Sequence, residues 1–224
     1  MTDFTLSIGS KAYSSWSLRG WLMCKLADID FAEDWHDMGA ADWHDWVKSI
    51  SPTARVPLLR HRTAQGDVLV WESLAIAEYL AELYPQAQMW PADAAARARA
   101  RAIANEMHAG FGALRRDMWM TLLKKRPGQG RTPEALTDIA RVVELWRETR
   151  EMFGAGGPYL FGERFGIADA MFAPVAVRFW AWEPELPGDA QTYATALMDH
   201  PFMVEWRQAA VLEKPVARYE ALAD

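Results

Sequence analysis

The stretch Tyr13–Trp21 reads YSSWSLRGW, three serines within four positions followed by an arginine and apolar residues. Upstream, FTLSI (Phe4–Ile8) alternates apolar and polar residues as a strand does. Downstream, Leu18, Trp21, Leu22 and Leu26 recur at helical spacing through Ala27. The serines therefore lie at a strand-to-helix turn. A serine there caps the first helical turn by accepting from a backbone N–H. The same helix end carries about half a positive charge, so a hydroxyl beside unpaired N–H groups also suits an anion or a thiolate. The local residues leave both readings open.

Working outward, strand and helix signals alternate as far as Leu83. Ile29–His36 reads as a second strand and Ala41–Ser49 as a short helix or irregular segment. Val56–Leu59 and Val68–Trp71 are apolar runs separated by HRTAQGD, whose Gly66-Asp67 pair marks a turn. Leu74, Ala75, Tyr79, Leu80 and Leu83 then form a helical stripe that Pro85 ends. The order β-α-β-α-β-β-α predicts an α/β layer.

Tyr84–Asp93 holds two prolines and no periodicity, and everything after it reads as helix. The expected division is residues 1–83, a linker at 84–91 and an all-helical domain over 92–224. One long amphipathic helix is expected from Ala94 to Lys125, broken by RPGQGR. Thr132-Pro133-Glu134 starts a second, with Thr132 as N-cap and Pro133 in the first turn, running to Phe153. A third begins near Gly166 and carries Pro174 inside it; shorter helices follow at Gln191–Asp199 and Pro201–Leu212.

Composition excludes several function classes. The 224 residues are 51% hydrophobic and 24% charged, as in ordinary globular chains, and the net charge of −6 argues against nucleic acid or anionic membranes as partners. No apolar run approaches the ~20 residues needed to span a bilayer. Cys24 is the only cysteine, so no intrachain disulfide forms, which fits a reducing cytosol. The start MTDFTLSIG lacks the basic region of a signal peptide. A cytoplasmic protein is expected. His36, Asp37, His44 and Asp45 lack a tight ligand spacing, so no metal site is expected. Cys24, inside the first helix and with no nearby base, is expected to be buried and inert.

Four motifs then combine. They are Ser14-Ser15-Trp16-Ser17, Arg55-Val56-Pro57, Glu72-Ser73 at a strand-to-helix junction, and Phe165-Gly166-Ile167-Ala168-Asp169. Together, over nearly the whole chain, they resemble the cytosolic glutathione S-transferases of the serine type (zeta-, tau- and theta-like). The resemblance implies a thioredoxin-like N-terminal domain followed by a helical-bundle C-terminal domain, acting on glutathione as co-substrate. It makes Ser14 catalytic, donating to the glutathione thiolate, with Ser15 the competing hydroxyl. It implies a cis proline at Pro57 and a Val56 backbone that pairs with the tripeptide as an added strand. Arg55 stands where many members have Lys and would meet a carboxylate. Glu72 and Ser73 would take the γ-glutamyl ammonium and carboxylate. Gly166 stands where members usually have Ser or Thr, so half of a capping box with Asp169 is missing; these residues are assigned to folding.

The electrophile is expected in the helical domain, near Met107, His108, Phe111, Arg115 and Trp119. Gly110 and Gly112, costly inside a helix, point to close packing or ligand approach there. Arg115 suits an anionic co-substrate, and Met107 and Phe111 an apolar one. The resemblance further implies a two-fold homodimer and a role in detoxification. Two alternatives accompany it. One is a glutathione-dependent isomerase of the maleylacetoacetate type, whose zeta motif has Cys where Trp16 stands. The other is a non-catalytic glutathione-binding protein.

Overall fold

The computed structural model describes residues 2–221, which form two compact units. The first comprises the chain up to Ala87 together with residues from Trp206 onward; the second is Gln88–Glu205.

The first unit is built on a four-stranded mixed sheet of order β2-β1-β3-β4. Along the chain run β1 (Phe4–Ile8), α1 (Ser15–Leu26), β2 (Phe31–Trp35), α2 (Trp43–Ile50), β3 (Leu58–Thr63), β4 (Gly66–Trp71) and α3 (Ser73–Leu83). β1 pairs parallel with β2 and antiparallel with β3, which pairs antiparallel with β4. The central strand is lined by inaccessible Leu6 and Ile8, with Leu59 of β3 opposite Leu6; Leu18 and Leu22 of α1 and Ile76 and Leu80 of α3 are inaccessible too, while Leu58, opposite Ser7, is buried on the other face. The expected order of elements holds. The hairpin turn falls at Ala64-Gln65, so Gly66 and Asp67 begin β4 rather than forming the turn; Gly66, at φ 120°, supplies the backbone that a Cβ-bearing residue resists there.

The second unit contains α4 (Ala94–Ala109), α5 (Gly112–Asp117), α6 (Pro133–Phe153), α7 (Ile167–Trp182) and α8 (Gly188–Asp199). α9 (Pro201–Ala210) follows, and α10 (Ala217–Glu220) closes the described chain. α7 is apolar on every side, the pattern of a helix surrounded by others, and nearly all of it is buried. Trp146 of α6 meets Phe172, Phe179 and Tyr193 edge-on at 5.8, 5.5 and 4.7 Å. α6 begins as expected, with Thr132 Oγ1 accepting from Ala135 N at 3.2 Å and Pro133 in the first turn.

Two expectations are corrected. The helix expected over Ala94–Lys125 is two helices, because Gly110 ends the first and Phe111, at φ 61°, turns the chain into the second. The two glycines punctuate the helix rather than interrupting it. The expected all-helical domain over 92–224 also loses its end, since residues from Trp206 onward belong to the first unit.

Asp169 completes the start of α7 despite the glycine cap. Its buried carboxylate accepts from Gly166 N at 2.9 Å, Leu160 N at 3.1 Å and the Tyr193 hydroxyl at 2.8 Å, the last two donors being buried as well. Burial, opposed by these bonds, raises its pKa from 3.8 to about 6. Between those values the native state holds a proton that the unfolded chain has released, so this group makes stability fall as pH rises through that window. Asp169→Ala strands three donors, two of them buried, and is expected to cost about 3 kcal/mol in urea unfolding. Asp169→Asn, which keeps an acceptor, is expected to cost less and to flatten the pH dependence of stability between pH 4 and 6.

Candidate functional site

Three of the four motifs converge because of strand register. Ser7, near the end of β1, pairs with Leu58 at the start of β3, and Leu58 pairs with Trp71 at the end of β4. The turn leading to Ser14, the Val56-Pro57 segment and the Glu72-Ser73 junction therefore lie at the same end of the sheet.

Ser14 is the N-cap of α1. Its backbone is extended, at φ −85° and ψ 93°, and its Oγ accepts from Ser17 N at 3.2 Å while donating to Ser17 Oγ at 2.8 Å. Ser17 Oγ also accepts from Gly9 N at 3.0 Å, tying the helix start to the end of β1. All three serines are buried. Among the described residues the Ser15 hydroxyl meets no hydrogen-bond partner. No acid occupies the first turn of α1, whereas α6, α7 and α8 carry Glu134, Asp169 and Asp189 there. The positive end of α1 is thus left without a built-in counter-charge.

The Val56–Pro57 bond is cis, as the resemblance implied. Pro57 is buried against α1, where Gly20 makes room: a Cβ on Gly20 would lie 2.6 Å from Pro57 Cβ. Neither the N–H nor the C=O of Val56, two residues short of β3, meets a partner among the described residues. Arg55 is exposed, and its backbone N–H donates to Ser51 Oγ at 3.4 Å. Glu72 stands at φ 68° and ψ 128°, a conformation that costs a residue with a Cβ about 1–3 kcal/mol and gathers at ligand sites. It precedes Ser73, the fully buried first residue of α3.

The turn before Ser14 is held by residues that sequence reasoning missed. Ser10 C=O accepts from Tyr13 N at 3.3 Å and Ser14 N at 2.8 Å. The Glu213 carboxylate accepts from Lys11 N at 2.8 Å, Ala12 N at 3.1 Å and Trp35 Nε1 at 3.0 Å. Trp206 Nε1 donates to Lys11 C=O at 3.0 Å. The Tyr13 hydroxyl donates to Glu220 at 2.7 Å, and its ring stacks on Tyr219 with centroids 4.7 Å apart. These partners lie about two hundred positions along the chain, so no local signal announces them.

The residues expected to line an electrophile pocket separate into two groups. Met107 and Phe111 are buried core residues at the α4–α5 corner, with His108 half-buried beside them. Arg115 spends its guanidinium on that corner, donating to the carbonyls of Gly110 at 3.0 Å, His108 at 3.4 Å and Met107. Its hydrogen bonds satisfy the last carbonyls of α4, the groups a helix end leaves unpaired. Trp119 belongs elsewhere: it meets the Trp182 ring edge-on at 4.6 Å and lies under Arg126, whose guanidinium is 5.0 Å from its centroid. Arg178, not anticipated, is buried on α7 with Nη1 donating to Pro174 C=O at 3.0 Å, and burial lowers its pKa to about 9.

Among the described residues no group of three or more His, Cys, Asp or Glu is arranged to hold a metal ion. His36 pairs with Asp42 at 2.9 Å and stacks on Trp46. Cys24 is inaccessible, and burial pushes its thiol far above the usual range.

Two family models match the chain: "Glutathione S-transferase, N-terminal domain" over residues 13–83 and "Glutathione S-transferase, C-terminal domain" over 94–209. A Caenorhabditis elegans protein described as "Probable maleylacetoacetate isomerase" is 28% identical over 165 residues, 72% of each chain. Glutathione S-transferase GstB of Escherichia coli K12 is 30% identical over 132 residues, 56% of this chain and 59% of that protein. Among solved structures, a Burkholderia glutathione transferase homologue with bound glutathione superposes with TM-score 0.69 at 23% identity, over 94% of this chain and 99% of its own. A tau-class enzyme from mango gives TM-score 0.70 at 18% identity over 99% of both. At such identities the structures show a common fold.

Gly20→Ala pushes a methyl group into the Pro57 ring. It is expected to cost about 1–3 kcal/mol in urea unfolding, with α1 and the Val56-Pro57 segment forced apart.

Proposed function

The chain belongs to the glutathione S-transferase family, and we propose that it is a glutathione transferase that activates the glutathione thiol at the N-terminus of α1 for attack on a small electrophile. The observation that carries the proposal is the Val56 backbone, whose N–H and C=O meet no partner among the described residues, at the end of the sheet where α1 and α3 begin. A peptide laid there adds a short strand. Its thiolate then meets the uncompensated positive end of α1, and its γ-glutamyl end meets Glu72 and Ser73, with Arg55 near a carboxylate.

The chemistry asked of the protein is modest. Each unit by which the bound thiol's pKa falls corresponds to about 1.4 kcal/mol of preference for the thiolate. A helix end and one hydroxyl donor act in that sense, and the serine is a donor rather than a nucleophile. Ser14 is our choice of donor; its hydroxyl proton, directed at Ser17 Oγ in the free protein, turns toward the sulfur. Ser15, whose hydroxyl is uncommitted, is the second choice. The electrophile is small and hydrophobic or anionic, held by the helical unit near Met107, His108, Phe111, Arg115 and Trp119.

We further propose a cytoplasmic homodimer. Val68, Leu69 and Trp71 on the edge strand β4 are apolar and exposed, which supports a partner there. The relative named as an isomerase, with the serine-rich motif, favours a second reading in which glutathione is a catalyst for cis–trans isomerisation and is not consumed.

Retention on immobilised glutathione is the first expected outcome; failure to bind overturns the reading. In Ser14→Ala the ultraviolet thiolate band of bound glutathione is expected to titrate about one unit higher, lowering conjugation at neutral pH about tenfold. The same shift in Ser15→Ala, with none in Ser14→Ala, moves the donor role to Ser15. Turnover of a cis-enediketone without glutathione loss identifies the isomerase.

A further inference from the structure

The four residues before Ser14 are fixed largely from the far end of the chain. Lys11 and Ala12 present their backbone N–H groups to one carboxylate, that of Glu213, with both bonds charge-assisted. Trp206 takes the Lys11 carbonyl, and Glu220 and Tyr219 hold the Tyr13 side chain. Val216 is buried between these anchors, while Val211, Leu212, Lys214 and Pro215 face solvent. The segment beyond α9 thus turns a few chosen side chains inward and little else.

We propose that residues 206–220 are a strap that sets the position of the α1 N-terminus, and that Glu213 is a positioning residue for glutathione activation. The inference rests on the thiolate site proposed above. Its physical basis is the requirement for placement: a hydroxyl or N–H displaced by about 1 Å from a developing thiolate loses much of its effect. Among the described residues Glu213 reaches Ser14 through the turn from Lys11 to Tyr13, so the carboxylate acts through the backbone. Ser10 C=O closes this turn from within, and Ser10 Oγ anchors its start by accepting from Met38 N at 3.2 Å. Glu213, also held by Trp35 Nε1 from the end of β2, anchors the Lys11–Ala12 part.

The test uses the full chain with Glu213→Gln, which keeps one acceptor oxygen, and Glu213→Ala, which keeps none. Two quantities are read: amide exchange at Lys11 and Ala12, and the pKa of bound glutathione's thiol alongside kcat and KM for conjugation. Exchange is expected to quicken in the order native, Gln, Ala. The thiol pKa is expected to rise in the same order, with kcat falling about ten- to a hundredfold in Glu213→Ala and KM for glutathione changing little. Should Glu213→Ala not fold, Glu213→Gln with Tyr13→Phe, which removes the hydroxyl bonded to Glu220, carries the comparison. Unchanged exchange at Lys11 and Ala12 overturns the strap. Faster exchange with a native thiol pKa and kcat overturns the positioning role. A native protein that binds no glutathione overturns the parent reading and with it the role of Glu213 in activation, while exchange alone still decides the strap.

Discussion

The pairing of Leu58 with Ser7 on one side and Trp71 on the other is the constraint on which the proposed glutathione site depends. A strand shifted by one residue turns every side chain to the opposite face, and a slip of β3 would carry the exposed Arg60 into the place of buried Leu59, so the register admits little slippage. With that register fixed, three segments far apart in sequence must meet at the same end of the sheet. The Gly20–Pro57 contact then brings α1 against the second of them. None of the site residues has to reach far, because the backbone has already brought their starting points together.

Helix ends supply the rest. In the second unit every strong device at a helix terminus is self-contained: Thr132 on α6, the Asp169 carboxylate on α7, the Arg115 guanidinium on the carbonyls ending α4. Each satisfies groups that the helix leaves open, and each is used up in doing so. α1 differs. It has a serine cap and no acid, with a second hydroxyl uncommitted. The same physical rule that makes Asp169 a folding residue makes the start of α1 a place for someone else's negative charge.

Much of this was legible in the chain. Period-two and period-3.6 patterns placed the strands and helices of the first unit, and capping chemistry placed the start of α6 at Thr132. The motifs at Ser14, Val56-Pro57 and Glu72-Ser73 were readable because each lies at an element boundary, where residue type and backbone demand coincide. What escaped reading was of two kinds. The break at Gly110-Phe111 turned on whether glycine interrupts or ends a helix, a choice made by Arg115 folding back on the carbonyls. Placing residues 206–220 with the first unit turned on contacts from Glu213 to Lys11 and Ala12, which no periodicity encodes. The electrophile candidates fared unevenly for a related reason: helical spacing put Met107, Phe111 and Arg115 on one face, but packing consumed that face as core and corner.

Cys24 carries a last consequence. It is the single thiol of the chain, it lies out of contact with water, and its surroundings disfavour ionisation. A protein built this way keeps its own sulfur silent at neutral pH. Disulfide exchange with the ligand, oxidation by peroxide and cross-linking through cysteine all require a thiolate that the native fold withholds. A reactive thiol detected in the native protein therefore comes from a small molecule bound to it, and spectroscopic probes of a thiolate have no background from the chain to subtract.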